Sequence, residues 1–176
     1  LGHRYGDATN QQVIAARINA QGEVLWSREV GAAGNDLAGN VVARPAGGVY
    51  IHGATATTGN NNFDLFVGAL DDDGEIEWTT KLANIGPDLP GSVAVTADSG
   101  CIVVGRTGTG ILLAKFTADG ALAWSERFFA TNAIEGRDVF VHPNGDLSIA
   151  GWMAGTGLMI VRTDADGALL WARTYN

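Results

Sequence analysis

Cysteine, lysine and long apolar runs are all scarce in this chain, and each scarcity removes a class of protein. One cysteine stands among 176 residues, so no disulfide forms within the chain. Cys101 lies in the apolar stretch CIVVG, which reads as a small core residue; no histidine is close enough in sequence to make it a thiol nucleophile. Lysine occurs only at positions 81 and 115, the nine arginines do not cluster, and the formal charge is −8. The basic patch that would hold nucleic acid or an anionic membrane surface is therefore missing. Acidity of this size favours solubility and suits a cation or a hydroxyl-rich ligand. No apolar run approaches the ~20 residues of a membrane helix. Apolar spacing of the helical kind is almost absent as well. With 46% hydrophobic and 17% charged residues the chain is not disordered, and four prolines without a period are not collagen.

What is abundant is glycine, 25 residues, and it falls in a repeated place. A polar turn ending in Gly, three mixed residues and a Trp occur four times: NAQGEVLW (Asn19 to Trp26), DDDGEIEW (Asp71 to Trp78), TADGALAW (Thr117 to Trp124) and DADGALLW (Asp164 to Trp171). The Trp-to-Trp spacings are 52, 46 and 47 residues, a period that announces a repeat architecture. Around each unit apolar and polar residues alternate. In the most complete copy Asn40–Arg44, Val49–Ala54, Phe63–Leu70 and Glu75–Leu82 read as four short strands of an antiparallel meander. Two further copies follow the same plan. In the fourth strand of each unit the Trp shares its face with apolar residues, which predicts that Trp26, Trp78, Trp124 and Trp171 fasten one sheet to the next.

The N-terminal stretch matches only the outer half of a unit, with Leu1-Gly2 at the end of a second strand. The expected division is an incomplete blade over 1–30 and complete blades over 31–82, 83–128 and 129–176, or three and a half blades of an all-β propeller. A ring needs ~4–8 blades. The strand count thus favours a fragment whose missing strands come from a further part of the same protein or from another polypeptide; the alternatives are a second copy that completes the ring and an open stack of repeats.

Four-stranded repeats closed by a late Trp resemble bacterial secreted β-propellers built from SBBP-type or delta-60-type repeats. Gly47-Gly48-Val49-Tyr50-Ile51-His52-Gly53 matches the strand that precedes the Asp-rich turn in that family, and Asp71 to Trp78 and Asp164 to Trp171 match the turn itself. The spacing from Ala69 to Trp78 is similar to the tryptophan-docking motif of quinoprotein-type propellers, one residue shorter. The resemblance implies a propeller, a bacterial source and an extracellular or cell-envelope location. It is nearly silent on function, because propellers host many activities.

Site candidates are few. The Asp-rich turns look like the start of a calcium loop, but the carboxylate required at position 12 is replaced by Leu82 and Tyr175. Hairpin chemistry explains them better. Gly105 to Gly110 looks like a phosphate loop, yet a strand follows it where a helix is needed. His3, His52 and His142 share no metal-ligand spacing. No cofactor and no metal site are expected. By resemblance, the ligand face of a propeller is built from 31–39, 83–91 and 130–136 with 55–62, 106–110 and 152–157. Asp36, Asp88 and Glu135 recur there and are the candidate ligand-binding carboxylates for a cation or sugar hydroxyls, against the plainer reading of turn caps. Trp152 stands outside the repeated register and is the candidate stacking residue. No catalytic residue is singled out. The function these features favour is a non-enzymatic binding or assembly module, with carbohydrate a possible ligand. The alternatives are a polysaccharide lyase or hydrolase and a structural subunit whose open blade edge docks to another chain.

Overall fold

The structure, a computed structural model, describes residues 2–5 (backbone), 11–31, 34–56, 62–82 and 87–175. Among these residues fifteen strands form four antiparallel sheets, each with its strands in chain order. The first sheet has three strands, β1 (Gly2–Tyr5), β2 (Gln11–Ile18) and β3 (Val24–Val30). The second contains β4 (Asp36–Ala43), β5 (Val49–Ala56), β6 (Phe63–Leu70) and β7 (Ile76–Leu82). The third contains β8 (Asp88–Val95), β9 (Cys101–Thr107), β10 (Gly110–Phe116) and β11 (Leu122–Phe128). The fourth contains β12 (Ile134–Val141), β13 (Leu147–Met153), β14 (Gly157–Thr163) and β15 (Leu169–Tyr175). The chain is an all-β run of propeller blades.

Each repeated turn is built the same way, and the side chain at its first position explains why. Asp71 Oδ1 accepts hydrogen bonds from the backbone N–H groups of Asp73 and Glu75, at 2.9 and 2.8 Å. Asp164 does the same for Asp166 and Ala168, and Asn19 for Gln21 and Glu23. Thr117 reaches the N–H of Ala121 with its hydroxyl. These side chains hold the turn shut, and the Gly that follows takes the left-handed conformation, at φ of 80 to 87° in all four units.

Cores lie between sheets. Val13, Ala15 and Val30 of the first sheet pack on Ile51, Phe66 and Leu70 of the second. Tyr50, Val67 and Ala69 of the second pack on Val93, Val103 and Phe116 of the third. Ile102, Ile111 and Leu113 of the third pack on Val139, Ile149 and Val161 of the fourth. Cys101 is wholly buried in the second of these layers, where loss of solvation pushes its thiol up to about 12 and keeps it inert.

Two features differ from the expected strand map. The first strand of each complete blade begins four residues early, because a β-bulge interrupts it between Ala38 and Asn40, Pro90 and Ser92, and Gly136 and Asp138. A bulge resets the alternation of side chains, so a period-two pattern stops at it although the ladder continues. The incomplete unit also has one strand more than the two expected. Gly2–Tyr5 pairs with Gln11–Ile14, a pairing that the mixed residues His-Arg-Tyr give no alternating signal for.

Candidate functional site

The bulges decide where the candidate carboxylates lie. Asp36 and Asp88 occupy matching positions at the start of β4 and β8, opposite Thr55 and Thr107 on the neighbouring strands. Both residues are buried with 0% exposure. Asp36 folds back over Gly31, so tightly that a Cβ there would stand 1.8 Å from its Oδ2. Glu135 is one residue out of that register. Ile134 takes the matching position, opposite Met153, while Glu135 pairs with Trp152 and corresponds to Leu37 and Leu89. Its side chain therefore points to the other face of the sheet.

Glu135 is held between two cations. Arg106 Nη1 lies 2.7 Å from one carboxylate oxygen and Arg137 Nη2 2.5 Å from the other, with the Glu135 side chain 10% exposed. Both oxygens are engaged, which makes this cluster a clamp between β9 and β12. Trp152 is 45% exposed and sits apart from Asp36 and Asp88, on the open side of the fourth sheet. The structure thus brings Trp152 beside Glu135 and leaves the two aspartates in separate blades. Among the described residues no group of three or more His, Cys, Asp and Glu side chains could hold a metal ion. The loop stretches 32–33, 57–61 and 83–86 of the expected ligand face lie outside the described residues.

His52 is the other buried titratable group. Its Nδ1 lies 2.8 Å from the Phe66 carbonyl oxygen and its Nε2 3.2 Å from that of Val104 in the next blade. Burial outweighs these two carbonyls and lowers its pKa to about 4, so the ring is neutral and joins two sheets.

The repeated tryptophans form a directional chain of contacts. Trp26 Nε1 donates to the Asp72 carbonyl at 2.8 Å, and a Cβ on Gly74 would stand 2.5 Å from the Trp26 ring. Trp78 Nε1 donates to the Ala118 carbonyl at 3.1 Å and lies equally close over Gly120. Trp124 lies over Gly167, 2.8 Å from where its Cβ would be. Each of these three indoles therefore seats on the Gly turn of the following sheet, where only a residue without a side chain leaves room. Among the described residues no Gly turn lies under Trp171, which is 42% exposed, and nothing lies within 4 Å of a Cβ position at Gly22.

No protein-family model matches the chain. No curated protein matches it either. Among solved structures it is similar to a protein from Lactobacillus plantarum, with a TM-score of 0.58 and 15% identity over 96% of this chain and 51% of that one. A protein of unknown function from Bacteroides caccae overlays with a TM-score of 0.48 and 12% identity, covering 95% of this chain and 80% of that one. An engineered GH43 glycoside hydrolase with endo-xylanase and exo-arabinofuranosidase activity overlays with a TM-score of 0.49 and 16% identity, covering 77% of this chain and 28% of that one. Likeness at such identities concerns the fold alone.

Proposed function

We propose that this chain is a non-enzymatic binding and assembly module of an exported bacterial protein, working through the exposed apolar face of its fourth sheet. The observation that carries the reading is the open face of the fourth sheet. Leu158 is 52% exposed there, whereas Val13, Leu65 and Ile111, its counterparts in the other sheets, are each 0% exposed under a neighbouring blade. Trp152, Trp171 and Tyr175 flank it, exposed by 45, 42 and 48%. A cluster of large apolar side chains at positions that the other three sheets cover is a surface for a further sheet, from the same protein or from another chain.

The enzyme alternative has less to work with. An acid/base pair needs two accessible carboxyl groups in one cleft. Asp36 and Asp88 are buried in different blades, and Glu135 has both oxygens in ion pairs. Incubation with a panel of neutral and acidic polysaccharides, followed by assays for reducing ends and unsaturated products, tests the reading. No product is expected. Product formation that Glu135→Gln abolishes would overturn it, and retention of the chain on an immobilised polysaccharide without turnover would identify carbohydrate as the bound partner.

A further inference from the structure

We infer that the groove between the third and fourth sheets is a binding site for a phenol ring, whose hydroxyl donates to the Gly145 carbonyl. The joint between the second and third sheets shows what such a groove takes, because there the chain supplies the ring itself. The site lies between two complete four-stranded sheets, on the opposite side of the fourth sheet from its exposed apolar face, and goes beyond the assembly reading above.

In the joint between the second and third sheets the ring is that of Tyr50. It pairs across the ladder with Ala69, points at the third sheet and is buried. Its ring lies 5.8 Å from that of Trp78, which lies 6.4 Å from Phe116. The Tyr50 hydroxyl donates to the Ser99 carbonyl at 2.6 Å. Ser99 belongs to the hairpin turn that the Thr96 N–H closes on the Gly100 carbonyl, and its φ is 65°. Ring and acceptor thus come from successive blades.

The next joint keeps the acceptor and lacks the ring. Ile102 stands in the place of Tyr50, paired with Lys115 where Tyr50 pairs with Ala69. Thr163, opposite Leu169, stands in the place of Phe116, opposite Leu122. Two aromatic side chains are replaced by smaller ones, and a groove of 190 Å³ remains. Its size suits a single ring, since an apolar cavity of about 150 Å³ suffices for benzene in another protein. Ile102, Val141 and Leu147 give it apolar walls. Gly145 also lines it and occupies the turn position of Ser99, with φ of 88°, in a hairpin that the His142 N–H closes on the Asp146 carbonyl. The Gly145 carbonyl is therefore the counterpart of the one that Tyr50 uses. At the rim Lys115 Nζ lies 2.8 Å from Asp98 Oδ2, and a cation there suits the face of an electron-rich ring. Hydrogen bonds from Lys115 and Thr96 hold the Asp98 carboxyl down at about 2, so at neutral pH the ion pair carries no net charge and favours a neutral ligand. The remaining rim group, His142, is engaged through Nε2 with Ser148 Oγ at 2.9 Å.

p-Cresol, the tyrosine side chain as a free molecule, is the probe, and amide NMR spectra of the whole chain are the readout. Saturable binding is expected with a Kd of about 1 mM or tighter, as befits a ligand of this size. The amide signals of Asp98, Lys115 and Gly145 should shift, and those of Val67 and Ala69 in the second sheet should stay. Toluene, the same ring without the hydroxyl, should bind about fivefold more weakly, since it leaves the carbonyl unused. Ile102→Tyr places a ring in the groove from within; it should weaken p-cresol binding by about tenfold or more and raise the urea midpoint. The tripeptide Gly-Tyr-Gly separates two sources of the same ring. Tighter binding than p-cresol assigns the groove to a tyrosine side chain of a partner, and weaker binding assigns it to a small free phenol. No saturable shift at about ten times the expected Kd, shifts that avoid Gly145, or toluene binding as tightly as p-cresol overturns the inference. These three readings use the unaltered chain, so they decide the matter even if Ile102→Tyr does not fold.

Discussion

The joint between the first and second sheets and the joint between the third and fourth share the indole-on-glycine contact and differ in nearly everything else. The first is rimmed with charge, Arg17 on Asp72 at 2.9 Å and Arg28 on Glu75, around a groove of 330 Å³ lined by Ala15, Trp26, Val41 and Val49. The third is filled with aliphatic side chains, and its groove, lined by Ile102, Lys115, Val141 and Leu147, is smaller at 190 Å³. The difference teaches that the two parts of a joint do separate work. The indole on glycine sets how one sheet lies on the next, and the apolar fill decides how strongly it is held.

Substitution of the tryptophans should separate these roles most sharply. Trp78 packs against the dry layer between the second and third sheets, 6.4 Å from the Phe116 ring and 5.8 Å from that of Tyr50. Trp78→Ala should lower the unfolding free energy by about 3–5 kcal/mol, and Trp26→Ala, beside the groove, by about 1–2 kcal/mol. Urea denaturation followed by circular dichroism reads both, and equal losses would show that the fill is irrelevant.

His52 offers a comparison by pH. Its value falls from 6.5 in the unfolded chain to about 4 when buried, so the unfolded state binds the proton first. Stability from this group is complete above pH 6.5 and is lost as pH falls from 6.5 toward 4, by about 3 kcal/mol. Replacement by the residue found at the sister position, His52→Val, should flatten that part of the profile; an unchanged acid slope would mean that another group controls it.

Glycine substitutions give a smaller effect with a built-in control. Gly74→Ala and Gly22→Ala share the same left-handed strain, about 1–2 kcal/mol. Only at Gly74 does the added methyl meet an indole, so it should cost about 1–3 kcal/mol more than the same change at Gly22. The smallest expected effect is that of Arg28→Ala. With its side chain 38% exposed and that of Glu75 68% exposed, the ion pair should contribute less than about 1 kcal/mol and fade in high salt.

Much of this architecture could be read from residue patterns. The four turns announced themselves because Asp, Asn or Thr must satisfy two backbone N–H groups there, and Gly must follow. The strands that carry the Trp alternate cleanly, since one face is covered and the other is wet. What escaped was whatever depended on a break in period. The bulges at Gly39, Gly91 and Arg137 hid the beginnings of β4, β8 and β12, and with them the depth at which Asp36 and Asp88 lie. The same bulges concealed that Glu135 stands one place along from those aspartates, although the Leu at 37 and 89 marks its true register. The clamp of Glu135 by Arg106 and Arg137 joins neighbouring blades, and no local spacing encodes a contact of that kind.

Because the Gly turn and the Trp lie within the same eight residues, any duplication of a unit copies both halves of a joint at once. A new blade would arrive already able to receive the indole before it and to offer one to the blade after it. Arrays of this type can therefore lengthen by whole units without a matching change elsewhere in the gene, and their blade number is free to drift in evolution.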